Sequence, residues 1–141
     1  MKLDDFISVH GLPEGYAESA QAHYLPFADW LYDRIRAAGG DTLILGINGA
    51  QGTGKSTCAD LIKEYLAAEH DVSSVVLSID DIYRTRRERH ELALNVHPLL
   101  ESRGVPGTHD VKLGLQVLEE LRALGPGSMM QVPRFDKSND D

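Results

Sequence analysis

The chain has 141 residues, of which 42% are hydrophobic and 26% charged, and this balance excludes an intrinsically disordered protein. Its 14 basic and 22 acidic residues give a formal net charge of -8, which argues against general binding to nucleic acid or to anionic membranes. No apolar run approaches the ~20 residues of a membrane span, and the N-terminus has no signal-peptide core. The single cysteine excludes an internal disulfide and fits a reducing compartment, so we expect a cytoplasmic protein.

The first 40 residues are predicted to form a helical region. Apolar residues recur at helical spacing over residues 14–38, and Pro26 is expected to kink this stretch or to divide it into two helices. Gly39 and Gly40 then end the helical pattern. Residues 41–141 are predicted to form a second domain.

That second domain alternates short apolar segments with amphipathic ones. The apolar segments, at residues 42–47, 75–79 and 129–132, are typical of strands buried on both faces. The amphipathic segments predict helices over residues 55–69 and 111–124, the second of them closing at residues 125–127, and a polar helix is predicted between them over residues 85–95. The alternation predicts a three-layer α/β/α fold with a mainly parallel sheet, preceded by an N-terminal helical extension.

A Gly-rich loop between the first predicted strand and the next helix carries the strongest motif. Residues 49–56 match G-x-x-x-x-G-K-[ST] at every fixed position. Glycines allow successive N–H groups to point at phosphate oxygens, and the following helix adds its N-terminal donors. We expect Lys55 to contact the β- and γ-phosphates of a nucleoside triphosphate and Ser56 to ligate Mg²⁺. The predicted nucleotide-binding residues are Gly49, Ala50, Gln51, Gly52, Thr53, Gly54, Lys55, Ser56 and Thr57.

Two carboxylates, Asp80 and Asp81, follow the second predicted strand. Ligands of open parallel sheets bind at the C-terminal ends of the strands, so Asp80 is a candidate general base for an acceptor hydroxyl or a holder of Mg²⁺. The alternative is that both aspartates only cap the next turn, as aspartate often does.

Three further segments carry a family resemblance: residues 78–83 (SIDDIY), 99–110 (LLESRGVPGTHD) and 132–138 (VPRFDKS). Together with the Gly-rich loop they resemble D-glycerate 3-kinase and its uncharacterised kinase-like relatives. That group is similar to the wider uridine kinase, phosphoribulokinase and pantothenate kinase superfamily. The resemblance implies a P-loop kinase core over residues 41–141 that uses ATP and Mg²⁺.

The resemblance also assigns roles to individual residues. It implies that Asp80 is the general base, that Tyr83 lines the acceptor pocket and that Asp110 holds substrate hydroxyls. It places Arg134 and Asp136 at the acceptor site, where an arginine suits the carboxylate of glycerate. An alternative for Asp110 is capping of the helix that follows it, and the two roles are compatible.

Other polar residues near these motifs have more open interpretations. Arg84 and His109 are candidates for contact with the substrate, with a solvated helix face and a packing histidine as the respective alternatives. Arg86 and Arg87 are expected on a solvated helix face. Asp81 departs from the small or hydroxylated residue of the wider superfamily and receives no role.

Two functions follow as expectations. The first is ATP-dependent phosphoryl transfer to a small hydroxylated acceptor, with D-glycerate leading and a nucleoside or pantothenate as alternatives. The second is a nucleotide-binding regulatory or interaction module without turnover. The sequence does not determine the oligomeric state, and a homo-oligomer is one of the alternatives. Because the kinases it resembles are longer, we expect a truncated chain, or one completed by a partner, that binds phosphates better than it turns over.

Overall fold

The computed structural model describes residues 1–125 and 127–141. These residues divide into two compact units, Met1–Val76 and Leu77–Asp141, and each unit is described by itself. The predicted domain boundary between residues 40 and 41 stays a prediction. The predicted helix end at residues 125–127 includes Pro126, which lies outside the described residues. No helix in the described part of the chain is long and apolar enough to cross a membrane.

The N-terminal half of the first unit is helical, as its apolar spacing predicts. It contains α1 (Leu3–Val9), α2 (Tyr16–Ser19), a π-helical turn (Ala20–Tyr24) and α3 (Leu25–Ala37). Pro26 stands in the first turn of α3, where its missing N–H is tolerated. The wider π-helical turn lies just before it, so the proline marks a change of helix type within one helical stretch.

The core of the first unit forms where α3 and α4 (Lys55–His70) pack together. Apolar side chains on one face of α4 are buried because they recur at helical spacing. They form two clusters with residues of the preceding helices: Ala28, Leu31, Ile62 and Leu66 in one, and Phe6, Ala20 and Leu61 in the other. This packing sets the direction in which α4 leaves the Gly-rich loop.

The described residues of the second unit form two α-helices and two short 3₁₀ turns. They are a 3₁₀ turn (Ile79–Ile82), α5 (Arg86–Asn95), a 3₁₀ turn (Pro98–Glu101) and α6 (Val111–Ala123). Thr85 and Glu88 form a capping box at the start of α5. A Cβ on Gly114 of α6 would lie 2.8 Å from Ile82 Cδ1, so the missing side chain allows the first turn to approach α6 closely.

The predicted three-layer α/β/α fold with a parallel sheet is wrong for the described residues. The described residues contain no sheet. They contain one isolated antiparallel β-bridge, between Tyr83 and His109. Residues 42–47, 75–78 and 129–132 form neither helix nor strand, and Ile79 begins a 3₁₀ turn. Apolar side chains of residues 42–47 are exposed to solvent, Ile44 by 54%, and Ile79 is exposed by 70%. An apolar run shows that a segment can be buried, but a strand also needs a hydrogen-bonding neighbour.

Candidate functional site

The Gly-rich loop turns sharply before α4, and glycines make this turn possible. Gly52 and Gly54 have φ angles of 78° and 80°, in the left-handed region that favours glycine. The hydroxyl of Thr53 donates to the carbonyl oxygen of Ala50 at 2.8 Å, and the Thr53 N–H donates to the same oxygen at 3.4 Å. The loop therefore holds its own shape through local hydrogen bonds.

Lys55 folds back over this loop. Its Nζ donates to the carbonyl oxygens of Gly49 and Ala50, at 3.0 and 2.8 Å. A Cβ on Gly49 would lie 3.0 Å from Thr53 Oγ1 and 3.7 Å from the Lys55 side chain, so only glycine leaves this space open. The ammonium group is thus held against the backbone at the start of the Gly-rich loop.

The start of α4 suits an anion. Its N-cap residue, Gly54, supplies no side-chain hydrogen bond to the first turn, and the 16-residue helix directs its positive dipole end towards the loop. Ser56 is exposed in that first turn and offers a hydroxyl oxygen, while Gln51 is exposed and Thr57 half-buried. These residues fit the triphosphate and Mg²⁺ that the motif predicts, and their binding role stays a prediction.

In the second unit, both aspartates of the 3₁₀ turn take part in capping it. The Asp80 N–H donates to the Ser78 hydroxyl at 3.2 Å, and the Ser78 N–H donates to Asp81 Oδ2 at 3.1 Å. The capping interpretation therefore holds for the Asp81 side chain. The Asp80 carboxylate, in contrast, points to a different partner.

That partner is Lys137, whose Nζ lies 2.8 Å from Asp80 Oδ2. The hydrogen bond from Lys137 is the largest influence on Asp80 and holds the pKa of its carboxyl below the usual range; partial burial opposes this shift and the Tyr83 hydroxyl supports it. The same contact raises the pKa of the Lys137 ammonium group. Asp80 is therefore ionised and already bound to a cation.

Asp81, which received no role from the sequence, binds the segment that contains Arg134. Arg134 Nη1 lies 2.7 Å from Asp81 Oδ2, and the Phe135 N–H donates to Asp81 Oδ1 at 3.4 Å. Asp81 is largely buried, with 12% of its side chain exposed, whereas Arg134 is 60% exposed. The carboxylate thus anchors Arg134 beside Asp80 and Lys137.

An aromatic wall lies next to these charges. The rings of Tyr83 and His109 stack with their centroids 4.2 Å apart, and Phe135 meets Tyr83 edge-on at 5.3 Å. Two backbone hydrogen bonds hold the wall: Arg84 N–H to the Thr108 carbonyl at 2.9 Å, and Asp110 N–H to the Ile82 carbonyl at 2.7 Å. Burial raises the pKa of the Tyr83 hydroxyl, and the charge of Asp80 adds to this effect.

His109 has a feature that a packing role alone does not explain. Its Nε2 atom is buried and has no hydrogen-bond partner among the described residues. A buried polar atom without a partner is costly and rare. The predicted contact of His109 with substrate stays a prediction.

Arg84 and Asp110 face each other across the two segments. Arg84 Nη1 lies 3.7 Å from Asp110 Oδ2 and 3.8 Å from Glu88 Oε1. Asp110 Oδ1 also accepts the Leu113 N–H at 3.1 Å, so Asp110 is the N-cap of α6 as the alternative interpretation predicted. One of its oxygens caps the helix while the other faces the arginine, which keeps both roles compatible.

Asp136 organises the turn that follows Phe135. Its carboxylate accepts hydrogen bonds from the Ser138 hydroxyl at 2.6 Å, the Ser138 N–H at 2.8 Å and the Asn139 amide at 2.6 Å. These bonds, led by that of the Ser138 hydroxyl, lower the pKa of Asp136 to about 2. The turn is built around this carboxylate, and the predicted contact of Asp136 with substrate stays a prediction.

The structure brings Asp80, Tyr83, Arg84, His109, Asp110 and Arg134 into one neighbourhood of the second unit. Sequence reasoning missed two members of it. Lys137 received no role from the sequence, although it stands three positions after Arg134 and binds Asp80. Arg89 received none either, although its side chain is 0% exposed and pairs with Asp140. Among the described residues no group of three or more histidine, cysteine or acidic side chains forms a metal site.

Comparison with known proteins gives three relatives, all named as kinases. The chain is 42% identical over 101 residues to the uncharacterized kinase mug58 of Schizosaccharomyces pombe, covering 70% of this chain and 36% of that protein. It is 35% identical over 127 residues to the chloroplastic D-glycerate 3-kinase of Arabidopsis thaliana, covering 82% and 28%. It is 33% identical over 103 residues to the probable ATP-dependent kinase TDA10 of Saccharomyces cerevisiae, covering 68% and 36%.

The aligned region is most of this chain but a small part of each relative. The chain spans about a third of the length of the curated relatives it matches. No protein-family model and no solved structure matches it. The family resemblance drawn from the sequence motifs is confirmed by these three relatives.

Proposed function

This chain belongs to the kinase group that includes D-glycerate 3-kinase, and we propose that it takes part in ATP-dependent phosphoryl transfer to a hydroxyl of a small acid, with D-glycerate as the first candidate. The observation that carries the proposal is the contact between Asp80 and Lys137 beside the pair of Asp81 and Arg134. Two cations and an ionised carboxylate meet there next to an aromatic wall.

The Gly-rich loop supplies the nucleotide side of the reaction. The uncapped start of α4 and the ammonium group of Lys55 bind the phosphates of ATP through hydrogen bonds and charge. Ser56 would ligate Mg²⁺, which would neutralise phosphate charge when bound. Phosphoryl transfer depends mainly on positioning and electrostatics, which this loop provides without a covalent step on the protein.

The second unit supplies the acceptor side. Arg134 and Lys137 are 60% and 61% exposed, so both can bind the carboxylate of a hydroxy acid while staying beside the two aspartates. The Asp80 carboxylate accepts the proton of the acceptor hydroxyl. Tyr83 and His109 limit the width of the pocket, and Asp110 and Arg84 bind a second hydroxyl.

The proposal is tested by ADP release in the presence of D-glycerate, nucleosides, pantothenate or ribulose 5-phosphate. We expect D-glycerate to stimulate turnover most strongly, because its carboxylate lies within two carbon atoms of its hydroxyls and can bind Arg134 and Lys137 while a hydroxyl lies at Asp80. A nucleoside has no carboxylate, and the carboxylate of pantothenate is far from its hydroxyls. Stronger stimulation by a nucleoside or pantothenate would show that D-glycerate is the wrong acceptor, while the proposed kinase activity would stand. Tight ATP binding without stimulation by any acceptor would instead support a nucleotide-binding module without turnover.

Matched substitutions divide the two halves of the reaction. Asp80→Asn removes the proton acceptor and is expected to abolish turnover while ATP binding remains. Lys55→Met is expected to weaken ATP binding, with Lys63→Met on the exposed face of the same helix as its control. Retained turnover in Asp80→Asn would show that Asp80 is not the general base.

The proposed partner is a small-molecule acceptor. The net charge of -8 does not favour binding to nucleic acid or to an anionic membrane.

A further inference from the structure

Arg89 is the most deeply buried charged side chain of the second unit, although the sequence places it in an arginine-rich, solvated-looking helix. Its side chain is 0% exposed. Transfer of a charged group out of water is unfavourable unless hydrogen bonds and an opposite charge compensate for the lost hydration. The contacts of Arg89 therefore indicate what its burial achieves.

The guanidinium of Arg89 joins three separate segments. Nη1 donates to the carbonyl oxygen of Arg84 at 2.6 Å, directly after the turn that carries the two aspartates. Nε donates to the carbonyl oxygen of Glu101 at 3.4 Å. Nη2 donates to the carbonyl oxygen of Asp140 at 2.9 Å and to its carboxylate. Only the planar fork of arginine offers donors in these three directions at once.

A second arginine completes this arrangement around Phe135. Arg103 donates to the other carboxylate oxygen of Asp140 at 2.8 Å and to the carbonyl oxygen of Lys137 at 3.3 Å. The guanidinium carbons of Arg89 and Arg103 lie 5.5 and 5.7 Å from the centroid of the Phe135 ring. Phe135 is thus held by two cations that share one carboxylate.

Phe135 stands between the two cations of the proposed acceptor site. Arg134 precedes it and contacts Asp81, and Lys137 follows two residues later and contacts Asp80. With the Phe135 ring and Asp140 held in place, the backbone between them has little freedom. The contacts of Arg134 and Lys137 therefore depend on the anchorage of residues 134–140.

We propose that Arg89 is a positioning residue that holds residues 134–141 against the turn of residues 79–82, so that Arg134 and Lys137 meet the acceptor beside Asp80. Arg89 does not contact the acceptor itself. The catalytic consequence rests on the proposed function, whereas the positioning of the segment does not. We name Arg89, Arg103, Phe135 and Asp140 the arginine clamp.

Four variants distinguish loss of the arginine clamp from a general loss of stability. Arg89→Met removes all donors, and Arg89→Lys keeps the charge but reaches fewer acceptors. Asp140→Asn removes the shared charge while keeping the backbone, because asparagine tolerates the positive φ of 59° at this position. Arg87→Met, on the exposed side of the same helix, is the control.

The first measurement is hydrogen exchange followed by NMR, which needs no enzymatic activity. We expect the amides of residues 135–141 to exchange roughly 10-fold faster in Arg89→Met and about 3-fold faster in Asp140→Asn, with the amides of α6 unchanged. The Lys137 ammonium protons, slowed by the contact with Asp80, should exchange faster in the same two variants. Unchanged exchange at both places in a folded Arg89→Met would overturn the proposal.

The second measurement is the Michaelis constant for each substrate. Arg89→Met is expected to raise KM for the acceptor about 10-fold and to leave KM for ATP within about 2-fold, with partial recovery in Arg89→Lys. A purely structural arginine would lower the active fraction and leave both constants unchanged, which would refute positioning. If Arg89→Met does not fold, the Michaelis constants of Asp140→Asn and Arg89→Lys for acceptor and ATP test the proposal instead. If the unaltered protein shows no turnover, the proposed function fails, and the exchange data still decide the role of Arg89.

Discussion

Lys137 Nζ lies 2.8 Å from Asp80 Oδ2, which joins the proposed general base to a cation 57 positions away in the chain. The contact has two consequences. It lowers the pKa of the Asp80 carboxyl, and it holds an exposed cation where the carboxylate of an acceptor would be recognised. A bound acid and Asp80 therefore share the same lysine.

Replacement of Lys137 by methionine is expected to raise the pKa of Asp80 towards its usual value of 3.8, because the hydrogen bond from Lys137 is the largest influence that lowers it. Titration of the Asp80 carboxyl carbon by NMR measures this shift. Lys112→Met, an exposed lysine of α6, is the control and should leave the titration unchanged. An unchanged Asp80 titration in Lys137→Met would show that the ion pair is not formed in solution.

Asp136 is expected to titrate at about 2, below its usual value of 3.8, since the folded turn supplies hydrogen bonds to its ionised form. A folded-state pKa below the unfolded one stabilises the fold above the unfolded pKa. This stabilisation is complete above pH 3.8 and is lost as pH falls towards 2. Ser138→Ala, which removes the largest contribution, should raise the NMR titration midpoint. A midpoint of 3.8 in the unaltered protein would contradict the turn as described.

Gly54→Ala is expected to distort the Gly-rich loop, because an alanine at a φ of 80° is strained by about 1 kcal/mol. We expect weaker binding of a non-hydrolysable ATP analogue in calorimetry, since the donors at the start of α4 shift. Gly46→Ala is the matched control, as a Cβ there has open space and the backbone has no positive φ. Equal affinity of the two variants would show that the conformation of Gly54 is not required for binding.

Leu61→Ala is expected to destabilise the first unit by about 3 kcal/mol, because it leaves a cavity at a side chain that is fully buried. Ile44→Ala, at a side chain that is 54% exposed, should cost less than about 1 kcal/mol. Urea unfolding compares the two free energies of unfolding. A cost at Ile44 as large as that at Leu61 would mean that Ile44 is buried in solution, as a strand in a sheet would require.

Local features were predictable from the sequence because they depend on near neighbours. The 3.6-residue spacing predicted α3, α4 and α6, and Thr85 and Asp110 were recognisable as helix starts, since capping residues act within three positions. Gly52 and Gly54 required a positive φ that the motif itself predicts. The family resemblance followed from motifs that are likewise contiguous in the chain.

Long-range pairing was not predictable in the same way. The apolar segments at residues 42–47 and 75–79 satisfied the composition of strands, but the hydrogen bonds of a sheet come from a neighbouring strand that composition does not specify. Arg89 and Arg87 stand two positions apart in one basic run. One is buried under Phe135 and Asp140 and the other is exposed, because packing of residues 134–141 decides which face of α5 is covered.

The sequence by itself thus determined the helices, their caps, the Gly-rich loop and the kinase relatives, since all of these depend on residues close together along the chain. Only the tertiary structure decided that Lys137 binds Asp80, that Asp81 holds Arg134 and that Arg89 anchors the segment between them. The physical reason is that each of these three ion pairs joins residues more than 50 positions apart, and the fold of the backbone determines which distant charges meet.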